Sequence, residues 1–144
     1  MEILKVDTEK RRLGNFGERA AVRFLRRRGY RIMERNYAPF DHEVDIVCAN
    51  REYTVFVEVK TRSVDAKSMI EPRPASAVTA EKQRSIIMAA KQYLAYNPTD
   101  KKRRFDIIEV YVTEKNGRKR VAEIKHLINT FNLNTAGIHT HSRR

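Results

Sequence analysis

A single cysteine, Cys48, leaves this 144-residue chain no disulfide framework and no cysteine-based zinc site. Its apolar surroundings mark a buried, inert thiol rather than a reactive one. Long hydrophobic runs are also missing. The longest, Ile86 to Ala90, falls far short of the ~20 residues that span a bilayer. Residues Met1 to Arg12 are too charged for a secretory signal core. No repeat or low-complexity block interrupts the first 130 residues, and the interleaved aromatics of single-strand binders are absent. These gaps leave a soluble cytoplasmic protein with one core and no membrane partner as the expectation.

What is abundant is positive charge. Thirty Lys and Arg face 18 Asp and Glu, a formal +12. Apolar residues still make up 41%, enough for a packed core, so the chain is not a disordered polycation. Such a charge implies attraction to polyanions and says nothing of fold. Nine arginines lie between Arg11 and Arg35, with further clusters at Lys101 to Arg104 and around Asn116-Gly117. Three clusters favour tracking of a phosphate backbone over three unrelated solvated faces, because the arginine fork contacts phosphate oxygens in pairs.

Periodicity predicts a helix from about Asp7 to Gly29, with apolar or small residues at Leu13, Phe16, Gly17, Ala20, Ala21, Phe24 and Leu25. Strands are expected at Tyr30 to Tyr37, Glu43 to Ala49 and Tyr53 to Thr61, the last two as an antiparallel hairpin. Arg62 to Ala77 reads as a loop. Val78 to Tyr96 reads as a second helix, ended by Asn97-Pro98. Strands at Arg104 to Thr113 and Arg120 to His126 flank an Asn116-Gly117 turn. The order α-β-β-β-α-β-β describes an α/β fold with a central mixed sheet between helices. Residues 8–131 form the expected domain, and 132–144 a polar, mobile tail.

The strand at Tyr53 to Thr61 carries the chemistry. Alternation puts Tyr53, Val55, Val57 and Val59 on one face and Thr54, Phe56, Glu58 and Lys60 on the other. On the preceding strand Glu43, Asp45 and Val47 share a face, opposite Val44, Ile46 and Cys48. Pairing Asn50 with Tyr53 sets Asp45 across from Glu58, and Glu43 across from Lys60. Two carboxylates ~5 Å apart repel by about 3 kcal/mol at an effective dielectric near 20. Lys60 alone does not offset that, since an exposed ion pair returns only ~0–1 kcal/mol. A hard divalent cation would, and Mg²⁺ takes one or two carboxylates plus waters and phosphate oxygens. Glu18 offers a third carboxylate. Its helical neighbours Gly14, Ala21, Val22 and Leu25 give it a small, apolar surrounding in which a partner is needed, whether a cation, a cap or a metal.

Val44-Asp45 followed thirteen residues later by Glu58-Val59-Lys60 resembles the PD-(D/E)xK nuclease signature, with Val44 in place of its proline. A wider pattern is more specific: Gly14 to Ala21, Gly29-Tyr30, Arg35-Asn36, Glu43 to Val47, Val55 to Arg62, Lys82-Gln83 and Arg104 to Asp106. Together these resemble the YraN-type family of bacterial proteins, which is similar to archaeal Holliday-junction resolvases. The likeness covers roughly residues 8–131. It implies a restriction-endonuclease-like fold, metal ligation by Glu18, Asp45 and Glu58, and Lys60 as the catalytic lysine. Glu43 and Gln83 are second-tier candidates, and Arg19, Arg23, Arg62 and Lys82 are candidate nucleic-acid contacts. Tyr37 and Phe40, just before the Asp45 strand, are candidates for stacking on bases.

The expected function is a Mg²⁺-dependent endonuclease, with Mn²⁺ able to substitute, acting on DNA and candidate branched or repair intermediates. A nucleic-acid-binding module that keeps the fold without cutting is the alternative. A homodimer is expected by analogy with resolvases, which cut two strands symmetrically.

Overall fold

The computed structural model describes residues 2–64 and 78–138, with side chains from residue 8 onward. Its elements run α1 (Glu2–Arg27), β1 (Arg31–Tyr37), β2 (Val44–Ala49), β3 (Tyr53–Ser63), α2 (Ala80–Tyr96), β4 (Lys102–Lys115) and β5 (Arg118–Leu127). The order matches the sequence expectation, and the architecture is α/β and restriction-endonuclease-like. Elements begin earlier or end later than periodicity indicates. Helix α1 starts at Glu2 rather than Asp7, and β3 takes in Arg62 and Ser63, which were expected in a loop. Positions 65–77 of that loop, and His139 and His141 of the tail, lie outside the described residues.

The five strands lie in chain order in one sheet. The pairs β1–β2, β2–β3 and β4–β5 are antiparallel, whereas β3 and β4 are parallel, joined through α2. A parallel neighbour requires a crossover, and α2 supplies it. In the β2–β3 hairpin Ile46 pairs with Val57 and Val47 with Phe56, while Asn50 N–H donates to the Tyr53 carbonyl at 3.0 Å. This is the register expected from the sequence.

Each face of the sheet is buried under one helix. Ala21, Val22 and Leu25 of α1 pack with Ile46, Cys48, Val55, Val57, Ile108 and Val110. Ile86, Ile87, Ala90 and Tyr93 of α2 pack with Val47, Phe56, Phe105 and Ile107. Val44 departs from the expected alternation: it packs under α2 rather than beside Ile46 and Cys48. It stands at the first residue of β2, and its cross-strand partner Tyr37 packs against the same core.

Helix termini are closed locally. Past the end of α1, Gly29 N–H reaches the Arg26 carbonyl and Tyr30 N–H the Leu25 carbonyl, a Schellman pattern. Thr79 caps α2, its hydroxyl accepting from Lys82 N–H at 3.1 Å. Residues 132–138, expected in a polar tail, instead pack back onto α2. Ala136 and Phe131 are buried, Leu133 and Ile138 cover the same core, and Arg84 donates to the Ala136 carbonyl at 2.9 Å.

Candidate functional site

Strand parity puts Asp45 and Glu58 on the face of the sheet that α2 covers, next to one another across the β2–β3 hairpin. Both are buried, at 8% and 4% exposure. Asp45 Oδ2 accepts the Val59 backbone N–H at 2.7 Å, which fixes its carboxyl against β3. The two carboxyl groups are close enough to shift one another's titration. Burial, and then the charge of Asp45, push the Glu58 carboxyl up to about 8, against smaller opposing effects of Lys82 and Lys60. Burial likewise raises Asp45, although the Val59 N–H works in the other direction.

Two ammonium groups flank Glu58. Lys60 Nζ lies 3.8 Å from Oε1, and Lys82 Nζ lies 3.8 Å from Oε2. Lys82 stands in the first turn of α2 and reaches the acid pair with its side chain. Despite these neighbours, Glu58 Oε2 is buried without a hydrogen-bond partner. Lys82 offers that oxygen a charge at 3.8 Å without a hydrogen bond, so its place for a close donor or cation is unfilled.

Glu18 approaches from the other helix. Gly17 of α1 lies directly against Thr61 of β3, and a Cβ on Gly17 would overlap that side chain, 2.6 Å from its Cγ2. This close crossing brings Glu18, the next residue, toward β2. Burial and then the charge of Asp45 raise its carboxyl, while a hydrogen bond with Asn36 and the charge of Arg35 oppose the rise. Glu43 is exposed and adds its charge to the field at both Glu18 and Asp45. Even so, among the described residues no three His, Cys, Asp or Glu groups are arranged to hold a metal ion. Asp45, Glu58, Lys60 and Lys82 are brought together; Glu18 is in their field and does not complete a three-ligand set.

The remaining candidates lie elsewhere. Gln83 donates to the Val78 carbonyl and accepts from the Thr135 hydroxyl, holding the 132–138 segment. Arg62 is turned to the buried Glu109 at 3.7 Å. Arg19 lines a groove of about 460 Å³ between α1 and the β4–β5 turn, with Arg12, Asn15, Phe16, Gly117, Arg118 and Lys119. Arg23 is exposed on α1. Sequence reasoning assigned Lys82 to the phosphate backbone and missed its place beside Glu58. Glu109 was missed altogether, although a glutamate between Ile108 and Val110 in an apolar strand was a visible signal.

A second buried polar cluster lies across β4. Asp106 accepts from Arg104 at 2.9 and 2.8 Å and from the Asn129 N–H at 2.9 Å, and contacts His126 Nε2 at 2.7 Å. Burial alone would raise Asp106, but the bonds from His126, Arg104 and Asn129 hold it below the usual carboxylate range. Arg104 also donates to the Tyr30 hydroxyl at 2.6 Å, tying the start of β1 to β4. This cluster is internally satisfied and fixes the sheet.

The fold and the acid pair thus define an α/β protein with a lysine-flanked carboxylate site. The model of the uncharacterised protein family UPF0102 matches residues 17–110, a span that contains Glu18, Asp45, Glu58, Lys60 and Lys82. The UPF0102 protein of Chlorobium phaeobacteroides (strain BS1) is 44% identical over 121 residues, covering 83% of this chain and 93% of the relative. Those of Acetivibrio thermocellus and Caldanaerobacter subterraneus subsp. tengcongensis are 40% and 35% identical, each over 85% of this chain and over 92% and 96% of their own lengths. The chain belongs to the UPF0102 family, also called the YraN family. No helix among the described residues is long and apolar enough to cross a membrane.

Proposed function

We propose that this protein is a metal-dependent endonuclease that hydrolyses phosphodiester bonds in DNA. The observation that carries the reading is the Asp45–Glu58 pair, flanked by Lys60 and Lys82, with one buried Glu58 oxygen that accepts no hydrogen bond. Two adjacent carboxylates, one with a buried oxygen that accepts no hydrogen bond, fit a hard divalent ion, which prefers few protein oxygens and fills its remaining positions with water and phosphate. Asp45 and Glu58 would hold Mg²⁺ or Mn²⁺, which when bound supplies a Lewis acid and lowers the pKa of its water.

The chain's own groups account for the rest. The raised Glu58 carboxyl holds a proton near neutral pH and releases it when the pair accepts a cation. Lys60, with 37% of its side chain exposed, reaches both Glu58 and the space above the strand. There its ammonium orients an attacking water or stabilises charge on the phosphoryl oxygens. Lys82 contributes a second ammonium where a phosphate would lie. The groove of Arg12, Arg19, Arg118 and Lys119 offers cations to a DNA backbone away from the cut. A homodimer would present two such sites to two strands.

A second reading has its own support. With no three-ligand group among the described residues, a DNA-binding module that does not cut also fits. The test is a cleavage panel of linear duplex, flap, four-way junction, single-stranded DNA and RNA, each with Mg²⁺ or Mn²⁺, beside a Lys60→Ala control. Metal-dependent cutting that disappears in the control supports the endonuclease. DNA binding without cleavage, and without a divalent site by titration calorimetry, supports the second reading.

A further inference from the structure

Phe40 combines two features that the fold itself does not use. Its side chain is 86% exposed, the most open of the large hydrophobic residues described. Its backbone lies at φ 55°, the left-handed region that bulky residues avoid and that persists only when surrounding structure enforces it. The enforcement is visible. His42 N–H closes the turn onto the Pro39 carbonyl at 3.1 Å, and Tyr37 pairs with Val44 immediately behind it. Tyr37 itself turns inward and meets Tyr93 edge to face at 5.6 Å. Of Tyr37 and Phe40, it is Phe40 that presents an exposed ring.

The position of that ring matters. The β1–β2 connection enters β2 directly before Asp45, and its neighbours act on the acid site. Glu43 adds to the field at Asp45 and Glu18, while Arg35 and Asn36 act on Glu18 from the β1 side. Phe40 therefore lies on the connection that leads from these residues into β2 and Asp45. Asp41 and Glu43, which follow it in the chain, repel phosphate, so a base approaches the ring more readily than a backbone does.

Resting on the endonuclease reading, we infer that Phe40 is a stacking residue that receives an unpaired base from the DNA strand bound at the acid pair. A phenyl face accepts any base, so the interaction is sequence-tolerant. Bases inside an intact duplex already have both faces covered by neighbours. The ring thus selects strands with an extruded, bulged or unpaired nucleotide next to the scissile phosphate.

The chain contains no tryptophan, so Phe40→Trp places a single reporter indole at this position. The variant is titrated without divalent ions with short single-stranded DNA, a bulged duplex and a fully paired duplex, while anisotropy of labelled DNA reports binding. The indole emission is expected to be strongly quenched by the first two and little changed by the third. Phe40→Ala and Phe40→Asn are expected to weaken bulged-DNA binding about tenfold, the scale of removing one base stack. Paired duplex binding should change less than about twofold, since no stack is made there. Asparagine tolerates the left-handed backbone, so Phe40→Asn should keep or raise the Tm, separating loss of stacking from misfolding. An unquenched indole on bound bulged DNA, or Phe40→Ala binding that DNA as tightly as wild type, overturns the stacking role and leaves the endonuclease reading standing. Wild-type protein that binds no DNA overturns both.

Discussion

Gly17 lies against Thr61 so closely that a Cβ on the glycine would fall 2.7 Å from the threonine Cβ and overlap its hydroxyl. The crossing point of α1 and β3 is therefore set by the absence of a side chain. It determines how far Glu18 reaches toward Asp45. Gly17→Ala should destabilise the fold by about 1–3 kcal/mol through overpacking. Adding Thr61→Ala should recover part of the stability, a non-additivity readable by denaturant unfolding of the two single variants and the double. Independent, additive effects would show that the helix and strand do not meet as described.

Titration of the acid pair sets a pH dependence. Glu58 has a folded value of about 8, raised from an ordinary 4.5, mainly by burial. The folded state therefore binds more protons than the unfolded chain between these values, and stability must fall as pH rises through that window. Its contribution is complete below about 4.5 and is lost above about 8. Unfolding in chelator across roughly pH 5 to 9 should show this decline, and Glu58→Gln should flatten it. Divalent binding should show the opposite trend and strengthen with pH, because the pair must lose its proton to act as ligand.

Lys82 lowers the Glu58 carboxyl from the α2 side. Lys82→Ala should therefore move Glu58 titration upward, as followed by carboxyl carbon NMR shifts. A titration that does not move would place the ammonium away from the carboxylate in solution.

The proposed endonuclease function requires that Asp45→Asn, Glu58→Gln and Lys60→Ala each abolish metal-dependent cleavage while leaving DNA affinity within a few-fold of wild type. Affinity should depend instead on the basic groove. Replacing Arg12, Arg19 and Arg118 together by Ala should reduce the slope of log K against log salt by about one unit for each phosphate no longer neutralised. An unchanged slope would move the backbone track to another face.

The Asp106 cluster serves stability rather than chemistry. Asp106→Ala leaves Arg104 buried without its carboxylate, which should cost about 3–5 kcal/mol. Thermal unfolding reads the destabilisation, and divalent binding by the remaining folded protein should be unaffected.

The order of elements, the β2–β3 register and the pairing of Asp45 with Glu58 were all legible in one dimension. Strand alternation has a period of two, and a short hairpin leaves little freedom in register, so neighbours along the chain become neighbours in space. The ends of elements were less legible. Residues 132–138 look polar, yet Ala136 packs on the core that α2 builds from a distant part of the chain. The parity of Val44 failed for a similar reason, because it packs beside its partner Tyr37 on the core under α2.

By itself the sequence determined an excess of cations, an α/β order and two carboxylates side by side with a lysine two residues on. Only the tertiary structure decided that Lys82 joins them, that Gln83 and Arg62 are engaged elsewhere, and that Phe40 rather than Tyr37 faces outward. Those outcomes depend on which helix face meets which sheet face and how closely. Such distances arise from packing between segments remote in the chain, and no local spacing encodes them.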